Sequence, residues 1–327
     1  MGAAWRRWHD RLHCGLVMPP EQQRERMRAM RDTVKSINEF LLGRSNVARR
    51  GDAARSCLYA GCEEVHAAGI EDIVTRLLTS RGVQALSTLS NRRCALVFDL
   101  AGTLAPLVDR RADARVPAAT AARLVQLCRS WPVGVVTGRS AADASTRLGF
   151  EPTFLIGNHG AERWRCAATE TSHAMERALD PVRERLRLGA RHLDQCGIEV
   201  EDKRLSLALH YGQLAAPAVA LATAHSWLAE ELHRVRITDG HHVVNVTPLD
   251  APDKGDAMRT LLDEWRLSCA LVVGDDSNDE AAFRGAPPGS MTVRIGPLET
   301  PTAAKFRLKF QTEIDQLLDV MLGLPSG

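Results

Sequence analysis

Short apolar runs that each stop at a polar residue, alternating with helical stretches, constrain the fold of this chain more than any other feature. "CALVF" at residues 94–98 is followed by "PAATAARLVQLCRS", with Pro117 near the helix start, and then by "PVGVVTG". "SAADASTRLG", capped by Ser140 and closed by Gly149, and then "TFLIG" repeat the rhythm. Runs that are apolar throughout suit strands buried on both faces, and their alternation with helices predicts a parallel sheet covered on both sides. The rhythm breaks between residues 165 and 247. There "SHAMERALDPVRERLRLGARHLDQCG", with Pro181 placed to divide it, precedes "IEVEDKRLSLALHY", "APAVALATAHSWLAEELH" and "RVRITDGHHVVNVT". These read as αββαββ, the last pair a hairpin turning at Asp239-Gly240. "KGDAMRTLLDEW", "CALVVGDD", "NDEAAFRGA" and "MTVRIG" then resume the first pattern. The expected fold is α/β. A doubly wound, Rossmann-like core of residues 92–164 and 248–327 is interrupted by an α+β module at 165–247.

Residues 1–91 read as a helical N-terminal extension. In "PPEQQRERMRAMRDTVKSINEFLLG", Pro20 suits a first turn, Met27, Met30, Val34, Ile37 and Leu41 recur at helical spacing, and Gly43 suits the end. "GIEDIVTRLLTSRGVQALSTL" reads as a second helix. No catalytic constellation lies here, and the expectation is a surface that packs on the main domain or on a protein partner.

Composition narrows the function. Apolar residues make up 45% of the chain and charged residues 25%, as in soluble globular proteins. A net charge of +2 gives no reason to expect nucleic acid as a partner. The apolar runs are too short to span a bilayer, and the N-terminus lacks the apolar core of a signal peptide. The 8 cysteines are scattered without zinc-site spacing, so free buried thiols in a cytoplasmic protein are expected.

Ligands of such sheets bind beyond the carboxyl ends of the strands, and four segments fall there. In "FDLAGT" Asp99 ends a strand, and Gly102 and Thr103 form a turn whose amides and hydroxyl suit an anion. In "VVTGR" Thr137 ends a strand just before a helix whose free N–H groups would seat a phosphate. In "DKGDAM" Lys254 stands ready to neutralise a phosphate oxygen. In "VVGDDSNDEAAF" Asp275, Asp276 and Asp279 crowd a strand end, and close carboxylates with oxygen-only donors call for Mg2+. Together they describe in-line phosphoryl transfer to a carboxylate nucleophile.

These four segments resemble the haloacid-dehalogenase superfamily of aspartate-nucleophile phosphatases, and the inserted module resembles its C2-type cap. "DLAGTLAPLV", "IGNHGAE", "VEDKRLSLALHY", "PLDAPDKGDA" and "TAAKFRL" make the finer resemblance one to trehalose-6-phosphate phosphatases. The resemblance implies Asp99 as nucleophile and Mg2+ ligand. It implies the carbonyl of Ala101 and the Asp275 carboxylate as further metal ligands, supported by Asp276 and Asp279, and Thr137 and Lys254 on the phosphate. Gly138, Arg139, Asn158 and His159 would line the core side of a sugar-phosphate site, with Glu201 and Lys203 reaching it from the cap. The implied activity is cytoplasmic, Mg2+-dependent hydrolysis of trehalose 6-phosphate.

The departures carry equal information. Ala101 stands where the family has an Asp, so the group that protonates the leaving sugar and later activates water is missing. Losing a positioned acid/base typically costs about 10²–10⁴-fold. An Ala there is shared with the phosphonoacetaldehyde hydrolase branch, where a cap lysine forms a Schiff base, although the cap type argues for the sugar phosphatases. Gly212 replaces a usual Arg, Asn245 a usual Glu and Asn278 a usual Thr. A weakened phosphatase, a non-catalytic sugar-phosphate binder, and a phosphatase of another phosphosugar all remain open on the sequence.

Overall fold

The structure, a computed structural model, describes residues 75–108, 110–212 and 217–324. The helix expected over residues 19–43 lies outside them. Twelve strands form two sheets among the described residues. The first has the order β1-β12-β11-β10-β2-β3-β4-β5, with strands at Thr75–Arg76, Phe306–Leu308, Met291–Ile295, Cys269–Gly274, Cys94–Phe98, Val133–Val136, Phe154–Gly157 and Glu162–Arg163. Every pairing is parallel except that of β4 with β5.

The all-apolar strands have two dry faces. Along β2, Cys94, Leu96 and Phe98 join one core cluster with Leu124, Leu127, Ile314 and Leu317. Ala95 and Val97 point the other way, toward Met258, Leu261 and Phe283. The in-register partners on β10 divide in the same way, Leu271 to the first cluster and Val272 to the second. A period of two through a continuously apolar run therefore fills both layers. Helices α2 (Ala118–Leu127) and α10 (Ile314–Leu322) cover one face, and α8 (Lys254–Glu264) and α9 (Glu280–Gly285) the other. The chain order also contains α1 (Ser80–Ser87) and α3 (Ala141–Ser145).

The inserted module carries the second sheet, order β6-β7-β9-β8, antiparallel throughout, with strands at Glu199–Asp202, Leu207–His210, Val243–Pro248 and Val235–Gly240. Its first helical stretch is split into α4 (Glu170–Ala178), α5 (Asp180–Leu188) and α6 (Ala190–Gln195), with Pro181 in the first turn of the second piece. Helix α7 (Pro217–Leu228) completes the layer.

Four expectations change. The helix expected over 69–89 is not one element: Thr75–Arg76 joins the main sheet as β1, and the helix starts at Ser80, where the Thr79 side chain caps the Gly82 amide. Leu77, Leu86 and Leu89 are buried in the main core, so the core begins well before residue 92. The hairpin turns at His241-His242, because Gly240 pairs with Val243; His242 takes the positive φ of 55° that the turn needs. Cys94 and Cys269, in register on β2 and β10, are joined by a disulfide rather than left as free thiols, whereas Cys128, Cys166 and Cys196 are free. No helix among the described residues is long and apolar enough to cross a membrane.

Candidate active site

The site grows from the neighbouring ends of β2 and β10. Asp99 follows β2, and its amide donates to the Val273 carbonyl at 2.9 Å, which fixes the carboxylate at the mouth of the sheet. The side chain is 7% exposed. Lys254 is the first residue of α8, behind the cap residue Asp253. Its buried Nζ donates to Asp99 Oδ1 at 2.6 Å and to Asp279 Oδ1 at 2.7 Å. The second oxygen of Asp279 accepts from the amides of Asp275 and Asp276, both at 2.9 Å, and so tightens the turn after β10. Thr103 Oγ1 donates to Asp275 Oδ1 at 2.9 Å. The hydroxyl expected to meet an anion therefore steadies a carboxylate.

Two glycines permit this crowding. A Cβ on Gly102, whose φ is +85°, would lie 2.0 Å from Asp275 Oδ2, and one on Gly274 would lie 2.3 Å from the Asp279 carboxyl carbon. Only a residue without a side chain fits at either place.

Asp99, Asp275 and Asp279 bring ligand oxygens within 4.8 Å of one another. Burial pushes the Asp99 carboxyl up to about 7, with Lys254 opposing and the Asp279 charge reinforcing the rise. Burial, then the charges of Asp99 and Asp279, hold Asp275 well above the usual carboxylate range. Burial alone would lower the Lys254 ammonium, but Asp279 and Asp99 outweigh it and raise the group. One ammonium, bonded to Asp99 and Asp279, thus stands beside three clustered carboxylates, of which Asp275 is half-buried. That residual negative charge and the all-oxygen donor set fit a hard divalent cation such as Mg2+. Asp276 is not in the cluster. Its carboxylate accepts from the Ser277 amide at 2.8 Å and the Asn278 side chain at 3.0 Å, and caps the following turn.

The phosphate and sugar candidates are arranged around this centre. Thr137 is buried after β3, and its Oγ1 accepts from the Arg139 amide at 3.3 Å. The helix N–H groups expected to be free there are already capped: the Ala141 amide donates to Glu162 and the Asp143 amide to Ser140. Arg139 is tied into the core by Asp143 at 2.7 Å and the Arg111 carbonyl at 2.9 Å. Asn158 and His159 follow β4 with φ of 50° and 59°, a left-handed pair of non-glycine residues. Such conformations cluster where the surrounding structure imposes them for a purpose.

Asn158 spends its polar atoms joining module to core. Its Oδ1 accepts from Ser206 at 2.6 Å, and its Nδ2 donates to Glu162 at 2.7 Å and to the Lys203 carbonyl at 3.2 Å. His159 Nε2 is buried without a hydrogen-bond partner among the described residues. Burial and then the charges of Lys203 and Lys254 hold its imidazole well below the usual range, so it is neutral.

From the module, Lys203 Nζ donates to the Gly138 carbonyl at 2.7 Å. Burial lowers its ammonium to about 8, against the pull of Glu201. Glu201 meets Arg111 at 2.7 Å and His210 at 2.9 Å, and the His210 contact foremost lowers its carboxyl to about 2. Asn245 is buried on β9. Ser277 Oγ donates to the Asp239 carbonyl and closes the module on the core at a second place. Contacts join Asp99, Lys254, Asp275 and Asp279 into one cluster, and Lys203 to Gly138 and Asn158, whereas Ala101 bridges to Ala105 and Asp276 caps a turn. Sequence reading did not assign roles to Glu162, Ser206, His210 or Arg111. Glu162 lies within the quoted "IGNHGAE", but a lone acid carries no sign of the helix it caps.

A parallel core with an aspartate at the end of β2, a lysine, a carboxylate cluster and an α+β insertion defines a haloacid-dehalogenase fold. A model of the trehalose-phosphatase family matches residues 97–311. The trehalose-phosphate phosphatase of Mycobacterium marinum is 32% identical over 231 residues, 66% of this chain and 58% of that protein. That of Mycolicibacterium paratuberculosis is 31% identical over 270 residues, 76% of this chain and 68% of that protein. The C-terminal domain of the C. albicans trehalose-6-phosphate phosphatase superposes with a TM-score of 0.67 at 19% identity, covering 77% of this chain and 99% of that domain. The chain belongs to the trehalose-phosphatase family, and it spans 58% of the length of the M. marinum relative.

Proposed function

We propose that the chain is a phosphatase that hydrolyses trehalose 6-phosphate to trehalose and inorganic phosphate. The observation that carries this reading is Asp99: buried at a strand end, 2.6 Å from Lys254 and clustered with Asp275 and Asp279. An Asp99 oxygen attacks phosphorus in line, an O–P bond forms, and the bond from phosphorus to the sugar oxygen breaks. Water then attacks the phosphoaspartate, releasing phosphate and restoring the carboxylate. Lys254 offsets the charge that Asp99 and the phosphoryl oxygens bring together. Asp99, Asp275 and the Ala101 carbonyl would hold Mg2+, with Asp279 behind them. Bound there, Mg2+ supplies charge neutralisation at the phosphoryl group. On the module side, Lys203 and Glu201 would meet the sugar, with Asn158 and His159 opposite. The cytoplasmic location expected from the sequence belongs to this reading.

Ala101 leaves the leaving oxygen without a carboxylic acid, so turnover is expected to be slower by about 10²–10⁴-fold than with the carboxylate present. The same residue supports a second reading, a protein that binds a sugar phosphate with little turnover. Gly212 and Asn245, where the resemblance has an Arg and a Glu, remove charged groups from the sugar side and support a phosphosugar other than trehalose 6-phosphate as the alternative substrate. The test is phosphate release from trehalose 6-phosphate and a panel of sugar phosphates with Mg2+, beside Asp99→Asn. Release that depends on both Asp99 and Mg2+ supports the first reading. Saturable binding without release supports the second.

A further inference from the structure

Arg111 belongs to the core loop that follows "DLAGT", yet its guanidinium reaches across to the inserted module. It pairs with Glu201 at 2.7 Å and with Glu199 at 3.3 Å, both on β6. It also touches His210 on β7, whose Nε2 lies 2.9 Å from the same Glu201 oxygen. Behind it the loop is anchored: the Arg111 carbonyl accepts from Arg139 at 2.9 Å and from Arg147 at 3.3 Å, and both of these arginines pair with Asp143. The chain of contacts runs from helix α3 through Arg111 to the strand that carries Glu201 and leads into Lys203.

We propose that Arg111 is a positioning residue that clamps Glu201 and so holds the module closed over the core. The clamp is built to yield. The Arg111 and Glu201 side chains are 38% and 37% exposed, so their attraction is screened by solvent and salt. Two such pairs bias closure by roughly 3- to 30-fold. A polar ligand that takes Glu201 for its own hydroxyls has that bias to overcome at this contact, beside the module–core bonds of Asn158, Lys203 and Ser277. The assignment of Glu201 to a sugar rests on the proposed function, but the closing of the module by Arg111 does not.

The test is hydrogen exchange of the ligand-free full chain, read in peptides covering 137–141 and 199–204. Wild type, Arg111→Met and Arg111→Lys are compared, with Arg123→Met as control, since the ion pairs of Arg123 among the described residues, with Asp315 and Asp319, lie within the core. Arg111→Met should speed exchange in both peptides by roughly 3- to 30-fold. Arg111→Lys should lie between it and wild type, and the control should match wild type. Molar salt should move wild type toward the Met variant. In the phosphatase assay Arg111→Met should raise KM more than it lowers kcat. Unchanged exchange in a folded Arg111→Met variant overturns the proposal. Should that variant fail to fold, salt-insensitive exchange in wild type overturns it instead. Loss of exchange differences is thereby separated from a failure of the phosphatase reading, which is tested by phosphate release alone.

Discussion

Lys254→Met tests whether the site is held together by charge compensation. The methionine keeps the length of the side chain and removes the ammonium that lies 2.6 Å from Asp99 and 2.7 Å from Asp279. Both carboxylates are buried, and removing one partner of a buried ion pair costs about 3–5 kcal/mol. At about 2–4 °C per kcal/mol for a domain of this size, the melting temperature should fall by roughly 6–20 °C in EDTA at pH 8. The pH dependence follows from Asp99. Its carboxyl is raised from 3.8 to about 7 even with the lysine in place. A raised folded pKa gives stability that is fully present below the unfolded value and lost as pH rises through the folded one, on the order of 4 kcal/mol above pH 7. The variant pushes the carboxyls further up, so its deficit should be smaller at pH 5.5 than at pH 8. Mg2+ at a hundred times its dissociation constant should return about 2.7 kcal/mol. Scanning calorimetry at both pH values, with EDTA and with Mg2+, reads all three effects. A variant within 2 °C of wild type at pH 8 in EDTA (~0.5–1 kcal/mol), or a deficit equal at both pH values, would refute the reasoning.

Further outcomes are expected. Ala101→Asp should raise phosphate release by about 10²–10⁴-fold if the rest of the site is intact, and a rise under tenfold points to decay elsewhere. Cys94 and Cys269 close a loop of 175 residues, so the reduced protein should lose about 5 kcal/mol, read as a lower urea midpoint with reductant and checked by non-reducing peptide mapping. Leu271→Ala empties a fully buried position on β10, one of the two central strands, and should cost about 2–5 kcal/mol by urea denaturation.

The parts of this protein legible in its sequence are those encoded within a few neighbouring residues. The strands announced themselves because both faces are dry, which leaves an unbroken apolar run such as "CALVVG". Asp275 and Asp279 were visible because their crowding is local. What escaped was pairing at long range or between near neighbours. Arg111 and Glu201 are 90 positions apart, and no periodicity links a loop arginine to a strand glutamate. Asp276 and Asp279 looked equivalent in a string of acids, yet backbone geometry turned one into a cap and the other toward Lys254. The two-residue strand Thr75–Arg76 is too short to show alternation. Its pairing with β12 comes from more than two hundred residues away.

That short strand sets one edge of the main sheet. β1 and β5 are the opposite edges of an eight-stranded sheet, about 34 Å apart at the usual inter-strand spacing. The module departs after β5, so it joins the sheet at the edge opposite the one that β1 closes.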